Sequence, residues 1–210
     1  MSESVKAVIL DYGGVICKLP EAEQTRQLAE SCGLSTEDFL AYFWQYRLAY
    51  DRGDLDGASY WKSIADSAGK SYTDEQIAHF NASDVQFWLT LDEPMLDWNR
   101  ELRRAGYKTA ILSNMPESLG LHLRQHSDLF TQFDVVTLSY EVRSAKPEPG
   151  IYQSCLADLG LRGAETLFLD DKLHNIRAAE ALGIHAITYK TRAELSGQET
   201  AFGLPPVPVL

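Results

Sequence analysis

The sequence is poor in cysteine, with three in 210 residues, at positions 17, 32 and 155. Their number is odd, they lie far apart, and they form neither a Cys-x-x-Cys pair nor another spacing typical of metal ligands. A disulfide framework or a structural zinc site is therefore excluded. We expect three buried or inert thiols, as in a protein of a reducing compartment.

Long apolar runs and an excess of basic residues are also absent. No run approaches the roughly 20 residues that span a bilayer. The start, Met1-Ser2-Glu3-Ser4, lacks the basic and apolar stretches of a signal peptide. The formal net charge of −11 argues against nucleic acid and anionic membranes as partners. We therefore expect a cytoplasmic protein, monomeric or homodimeric, with no nucleic-acid or membrane partner.

Short apolar segments alternate with helical patterns over much of the chain. This alternation predicts an α/β fold, a Rossmann-like, doubly wound parallel sheet with helices on both faces. The predicted strands cover about 6–10, 107–112, 133–138, 166–169 and 184–189, and the predicted helices 94–105, 116–126, 147–159 and 173–182. The proline-rich tail, 203–210, predicts neither a helix nor a central strand.

A different pattern follows the first strand. From about Glu21 to Asp92 the sequence is helical throughout, with further helices predicted over 57–68 and 73–89, and an aromatic stripe that begins at Phe39 recurs at three- and four-residue steps. We interpret residues 17–92 as an inserted α-helical cap, and residues 1–16 and 93–210 as the Rossmann-like core.

Three predicted strands end on polar side chains. Asp11 follows the first strand, Ser113-Asn114 ends the second, and Asp170-Asp171 ends the fourth. The carboxyl ends of parallel strands meet at one crevice, so we expect these groups to converge there with Lys146, which precedes a helix. Carboxylates brought together repel one another unless a hard cation such as Mg²⁺ joins them. A carboxylate nucleophile, a metal ion and hydrogen-bond donors suit phosphoryl transfer.

Four ordered motifs resemble those of the haloacid dehalogenase superfamily, and the resemblance covers nearly the whole chain. The helical insert is similar to the small α-helical cap of that superfamily. A first motif of the form Asp-x-Gly-x-Val resembles the branch that includes sugar-1-phosphate phosphatases. The motifs are Asp11-Tyr12-Gly13-Gly14-Val15, Leu112-Ser113-Asn114, Lys146-Pro147 and Leu169-Asp170-Asp171-x-x-x-Asn175.

The resemblance implies a Mg²⁺-dependent phosphatase that acts on a small phosphorylated metabolite, with a sugar 1-phosphate as one candidate. It implies that Asp11 is the nucleophile, forming an aspartyl-phosphate. It further implies that Asp11, the carbonyl of Gly13 and Asp171 hold Mg²⁺. Asp170 is then expected to orient a ligand or a water molecule, and Asn175 to form a hydrogen bond within the loop of the fourth motif.

The same resemblance assigns the phosphate-binding groups. Ser113 and the backbone around Asn114 are expected to bind the phosphoryl oxygens. Lys146 is expected to neutralise charge between the phosphate and Asp11, which makes it a catalytic residue as well.

Gly13 departs from the family pattern, because most phosphatases of the superfamily have a second aspartate there as general acid and base. Loss of such a group typically removes a factor of about 10²–10⁴ in rate. Two hypotheses fit. Either the substrates have leaving groups that need little protonation, such as anomeric, acyl or aryl phosphates, or another group replaces the acid. A water molecule and the insert residues Asp51, Arg52 and Asp54 are the candidates.

Two other functions stay open at this point. A metal-independent 2-haloacid dehalogenase would share Asp11 and Lys146, although Asp170 and Asp171 disfavour it. A phosphate-binding or interaction protein that lacks turnover would be compatible with Gly13. We expect the aromatic stripe to be core packing between the helices of the insert, with Tyr46, Tyr50 and Trp61 as candidates to face the substrate. We expect the five histidines to be structural or on the surface.

Overall fold

The computed structural model describes residues 4–209, so residues 1–3, which belong to the start considered for a signal peptide, and residue 210 lie outside it. Five parallel strands form one sheet in the order β3-β2-β1-β4-β5. Leu10 at the end of β1 lies opposite Ile111 in β2 and Leu169 in β4. The predicted Rossmann-like fold is confirmed. The strands are β1 (Ala7–Leu10), β2 (Lys108–Ser113), β3 (Val135–Leu138), β4 (Thr166–Asp170) and β5 (His185–Thr188).

Alternating side chains of the strands point to opposite faces of the sheet, and each face has its own core. Ala7 and Ile9 pack in one core, together with side chains of α8 and α9. Val8 and Leu10 pack in the other, with side chains of α5, α6 and the insert. The helices that cover the sheet are α5 (Glu93–Arg104), α6 (Glu117–His126), α8 (Pro149–Leu159) and α9 (Leu173–Ala181).

Four helices form the insert between β1 and α5. They are α1 (Ala22–Ser31), α2 (Thr36–Asp51), α3 (Gly57–Ser67) and α4 (Asp74–Phe87), close to the predicted bounds. A polar side chain caps each of the last three: Ser35, Asp56 and Thr73 accept hydrogen bonds from the N3 backbone amides. Cap boundaries at 17 and 92 stay a prediction.

Two one-turn helices, α7 (Ser139–Val142) and α10 (Arg192–Leu195), were not predicted, because four residues are too short for a periodic pattern. Over residues 203–209 the proline-rich tail forms neither helix nor strand, as predicted. It packs on the sheet side of the molecule through buried Leu204 and Val207, and Trp98 Nε1 donates a 2.9 Å hydrogen bond to the Pro205 carbonyl. Over residues 4–209, the structure has no helix with the length and apolar character that a membrane span requires.

Candidate active site

A buried lysine joins two of the strand ends. Lys146 Nζ lies 2.7 Å from Asp11 Oδ1 and 2.7 Å from Asp170 Oδ2. Asp11 directly follows β1, Asp170 ends β4, and Lys146 lies in the loop before α8. All three side chains are almost fully buried. The predicted convergence of these residues is therefore present, and we call Lys146, Asp11 and Asp170 the core triad.

Burial and charge oppose each other in the core triad. Burial raises the pKa of Asp11 to about 7, against the lowering effect of Lys146. Burial would lower the pKa of Lys146, but Asp11 and Asp170 hold it above its usual value. For Asp170, burial is outweighed by Lys146 and by hydrogen bonds, which hold its pKa below the usual value. Asp170 is therefore the permanent counter-ion of Lys146, and Asp11 is the carboxyl group that changes charge near neutrality.

Asp170 is also the most firmly held carboxylate of the site. Its Oδ1 accepts a 2.8 Å hydrogen bond from the backbone N–H of Lys172, and Asn175 Nδ2 lies 3.0 Å from both of its oxygens. The supporting position predicted for Asp170 and Asn175 agrees with these contacts.

Asp171 points a carboxylate at the core triad from the other side. One oxygen each from Asp11, Asp170 and Asp171 lie within 4.8 Å of one another. Asp171 Oδ1 is buried and has no hydrogen-bond partner among residues 4–209, an expensive state for an anionic oxygen. Three hard oxygen donors, one of them unpartnered, suit Mg²⁺. Gly14 lets Asp171 approach, because its φ is 81° and a Cβ there would lie 3.2 Å from Asp171 Cγ.

Asn114 positions Lys146. Its side chain accepts a 2.7 Å hydrogen bond from the Lys146 backbone N–H and donates a 2.9 Å bond to the Lys146 carbonyl. These two bonds join the loop after β2 to the loop before α8. The Asn114 side chain is thereby engaged with Lys146, and phosphate binding by its backbone stays a prediction. Ser113 is buried beside it and lines the same cavity.

A cavity of about 600 Å³ opens over these residues. The core contributes Asp11, Ser113, Lys146 and Asp171 to its wall, among others. Helix α2 of the insert contributes Trp44, Arg47, Leu48 and Asp51. These four positions follow the i, i+3, i+4, i+7 spacing, so they share one face of the helix. The insert therefore forms the second wall of the cavity.

A second buried basic residue lies in this wall. Arg47 Nε donates a 2.7 Å hydrogen bond to Asp51 Oδ1, and Arg47 Nη1 lies 2.9 Å from Asp84 Oδ1. We call Arg47, Asp51 and Asp84 the insert triad. Burial raises the pKa of Asp51 to about 6, although Arg47 lowers it. Asp51 Oδ2 accepts no hydrogen bond from the residues that the structure describes.

Trp88 occupies the space beside Gly13. A Cβ built on Gly13 would lie 3.2 Å from Trp88 Cζ3. The Tyr12 hydroxyl donates a hydrogen bond to the Trp88 carbonyl, and Trp88 Nε1 lies 3.3 Å from Asp84 Oδ1. The position of the missing carboxylate is thus taken by an indole that contacts the insert triad.

The aromatic stripe of the insert is core packing, as expected, and the three candidates to face the substrate were wrong. Trp61 is buried in the aromatic core of the insert, and Tyr46 and Tyr50 do not line the cavity. The helical spacing of Trp44, Arg47, Leu48 and Asp51 was the signal that could have selected the correct face. His174 is exposed, in agreement with the expected surface position, and it also lines the cavity.

The three insert residues considered as replacements for the missing acid differ in whether they reach the cavity. Asp51 lines the cavity, whereas Arg52 and Asp54 do not. Arg52 instead forms ion pairs with Asp54 and with Glu148.

A model of the haloacid dehalogenase-like hydrolase family matches residues 5–183. The chain belongs to this family. Its assignment as an enzyme of the hydrolase class is therefore confirmed.

Two relatives of similar length carry different names. D-ribitol-5-phosphate phosphatase of Bacteroides thetaiotaomicron is 26% identical over 205 residues, covering 90% of this chain and 94% of the relative. Sesquiterpene phosphatase astK of Aspergillus oryzae is 26% identical over 184 residues, covering 88% and 89%. Mouse acyl-CoA dehydrogenase family member 10 is 38% identical over 91 residues, and the match covers 8% of its length.

A solved structure supports the magnesium prediction at the level of the family. The wild-type haloacid dehalogenase family enzyme bt-2542 from Bacteroides thetaiotaomicron was crystallised in complex with magnesium and inorganic phosphate. It superposes with a TM-score of 0.71 at 26% identity, over 88% of this chain and 93% of that one.

Proposed function

We propose that this protein is a Mg²⁺-dependent phosphatase that hydrolyses a small phosphorylated metabolite through an aspartyl-phosphate on Asp11. One observation carries the proposal: the core triad faces Asp171, whose buried Oδ1 has no partner, at the floor of an open cavity. A carboxylate nucleophile, a buried ammonium and an unpartnered hard oxygen ligand are the parts that phosphoryl transfer needs. The phosphatase names of two full-length relatives agree with it.

In this proposal Asp11 Oδ attacks phosphorus, and the bond from phosphorus to the ester oxygen breaks. Lys146, held by Asn114, offsets the charge between phosphate and Asp11, and Ser113 with the Asn114 backbone binds the phosphoryl oxygens. Asp11, the Gly13 carbonyl and Asp171 would hold Mg²⁺. When bound, Mg²⁺ supplies neutralisation of the negative charge that gathers on the phosphoryl oxygens.

We assign the proton transfer to Asp51. Its carboxyl group is buried, lines the cavity that contains Asp11, and has one oxygen that accepts no hydrogen bond from the described residues. A pKa of about 6 suits a group that must donate and then accept a proton near neutral pH. Protonated Asp51 would give its proton to the leaving oxygen, and the resulting carboxylate would take one from the water that hydrolyses the aspartyl-phosphate.

The cluster of three carboxylates disfavours the dehalogenase alternative, which needs no metal. The same proposal includes a cytoplasmic location and the absence of nucleic-acid and membrane partners. It also includes a cap spanning 17–92 over a core of 1–16 and 93–210. The net charge of −11 supports the absence of polyanionic partners.

The test is phosphate release from a panel of phosphorylated metabolites and 4-nitrophenyl phosphate, with Mg²⁺ and with EDTA. We expect turnover that EDTA abolishes and that Asp11→Asn reduces to background. The matched control is Asp97→Asn, which changes an exposed aspartate on α5 and should leave the rate unchanged. Activity that survives Asp11→Asn would overturn the mechanism.

Two other results would replace the function. Vanadate binding without any turnover would identify a phosphate-binding protein. Chloride release from a 2-haloacid without Mg²⁺ would identify a dehalogenase.

A further inference from the structure

The mouth of the active-site cavity carries exposed apolar side chains. Among residues 4–209, seven large apolar side chains are exposed to solvent, and three of them line this one cavity. These are Leu19, Trp44 and Leu48, at 58%, 50% and 46% exposure. Single exposed leucines are ordinary, but a group at one opening indicates a binding surface.

Helix α2 arranges this surface as a stripe. Leu40, Trp44 and Leu48 are spaced by four residues, so they lie one above another on the helix surface. The core of the insert does not require them, because α2 packs inward through Phe39, Phe43 and other buried residues. Trp44 contacts that core edge-on, with its ring centre 5.2 Å from that of Phe43, while Leu40, Trp44 and Leu48 all stay exposed to solvent.

The stripe is continuous with the catalytic floor. Trp44, Leu48 and Leu19 line the same cavity as Asp11 and Lys146. A volume of about 600 Å³ is far larger than a phosphate group and lies in the range typical of sites for whole small molecules. A substrate whose phosphate reaches Asp11 must pass its organic group outward along these side chains.

Part of the polar surface of the insert wall is already engaged in ion pairs. Arg47 donates from Nε and Nη1 to Asp51 and Asp84. The ammonium of Lys172 lies 5.8 Å from the centre of the Trp44 ring, a cation–π distance that holds the indole in place. Thr25, Asp51 and His174 also line the cavity, but its large exposed apolar side chains are Leu19, Trp44 and Leu48, on which a hydrocarbon gains by burial.

We propose that the substrate is the monophosphate ester of an apolar alcohol, a hydrocarbon chain or ring system that packs on Leu19, Trp44 and Leu48. This inference rests on the proposed phosphatase activity. The two full-length relatives are named for two different kinds of substrate, a sugar alcohol phosphate and a sesquiterpene phosphate. For this chain the inference predicts an apolar organic group and not a polyol.

The experiment measures kcat/KM for n-alkyl monophosphates from methyl to decyl, below their micelle concentrations, beside ribitol 5-phosphate and 4-nitrophenyl phosphate. We expect kcat/KM to rise about two- to fourfold for each added methylene until the groove is filled. Decyl phosphate should exceed ribitol 5-phosphate by at least about tenfold. The Leu48→Ser variant should lower the decyl-to-methyl ratio of kcat/KM by at least about fivefold.

Leu121→Ser is the matched control, because Leu121 is an equally exposed leucine on α6 outside the cavity. It should leave the ratio unchanged. A ratio that Leu48→Ser does not alter, or a preference for ribitol 5-phosphate, would overturn the proposal. So would sedimentation showing that Leu48→Ser converts a dimer to a monomer without changing selectivity, which would make the stripe an interface between copies.

Turnover of 4-nitrophenyl phosphate distinguishes a failure of the substrate inference from a failure of the proposed phosphatase function. Hydrolysis of 4-nitrophenyl phosphate with no gain from alkyl length would refute the apolar substrate alone. Absence of turnover toward every ester would refute the phosphatase function and this inference with it.

Discussion

The core and the insert each bury one basic side chain between two aspartates, and the two triads face the same cavity. Lys146 contacts Asp11 and Asp170, and Arg47 contacts Asp51 and Asp84. Both triads carry one more negative than positive charge when all groups are ionised.

They differ in how the excess charge is accommodated. The core triad lies beside a third carboxylate, Asp171, with a buried oxygen that has no partner. The insert triad has three aromatic rings around its cation: the Arg47 guanidinium lies 5.1 to 5.7 Å from the ring centres of Phe43, Tyr50 and Trp88. Lys146 of the core triad has one such ring, Phe168, at 5.4 Å. The core arrangement suits an added cation, whereas the insert arrangement suits a proton on Asp51.

Replacing the basic residue of each triad should give the largest effect, and it tests whether the core triad accepts an added cation while the insert triad does not. Lys146→Met and Arg47→Met each leave two buried carboxylates without their cation, at a cost of about 3–5 kcal/mol in unfolding free energy. Relative to the wild type at the same Mg²⁺ concentration, saturating Mg²⁺ should reduce this loss for Lys146→Met, because the metal replaces the ammonium charge, and should leave the loss of Arg47→Met unchanged. Urea unfolding with and without Mg²⁺ measures both, and equal Mg²⁺ responses would contradict the distinction.

Removing the acid of the insert triad should affect chemistry but not stability. Asp51→Asn should lower kcat for alkyl phosphates by about 10²–10⁴-fold. It should affect 4-nitrophenyl phosphate far less, because a nitrophenolate leaves without a proton. The fall in kcat as the pH rises through about 6, where wild-type Asp51 loses its proton, should disappear.

The matched control for this variant is Asp54→Asn, which removes a neighbouring aspartate outside the cavity. Its kcat and its pH profile should resemble those of the wild type. An equal loss of kcat for alkyl and aryl esters in Asp51→Asn would argue against proton transfer.

An aspartate at position 13 of the core should collide with the Trp88 indole of the insert. Gly13→Asp places Cβ 3.2 Å from Trp88 Cζ3, so we expect a loss of about 1–3 kcal/mol in unfolding free energy. In a double-mutant cycle with Trp88→Ala, the combined loss should be smaller than the sum of the single losses. Strict additivity would show that the indole does not exclude a side chain at position 13.

The smallest expected effect is on Mg²⁺ affinity as a function of pH. Asp11 has a pKa raised to about 7, so below that pH a proton competes with the metal. The apparent Kd for Mg²⁺ should weaken about tenfold for each pH unit below 7 and level off above it. Calorimetric titration between pH 5.5 and 8 measures this, and a flat profile would place the titrating carboxyl group elsewhere.

The sequence was a good guide to the core and a poor one to the insert wall. The alternating segments predicted every strand of the sheet, and the ends of β1, β2 and β4 predicted that Asp11, Ser113 and Asp170 meet. This worked because parallel strands bring all their carboxyl ends to one edge, whatever fills the loops.

Helix α2 illustrates why the rest was harder. It is apolar on more than one side, so its pattern did not distinguish the buried aromatic face from the face that lines the cavity. The contact of Trp88 with Gly13 joins positions 75 residues apart. Such contacts depend on how the insert packs on the core, which no local pattern records.

The position of β1 in the sheet has a consequence for how the chain is made. β1 is synthesised first among the strands, but its neighbours β2 and β4 begin at Lys108 and Thr166. At about 5–20 residues per second, roughly 5–20 seconds pass before the first neighbour is even translated. During that time the apolar segment Ala7–Leu10 has both edges unpaired, and only the insert and α5 can fold beside it. A ribosome that stalls between the insert and β2 would therefore leave the nascent chain with an exposed, aggregation-prone strand.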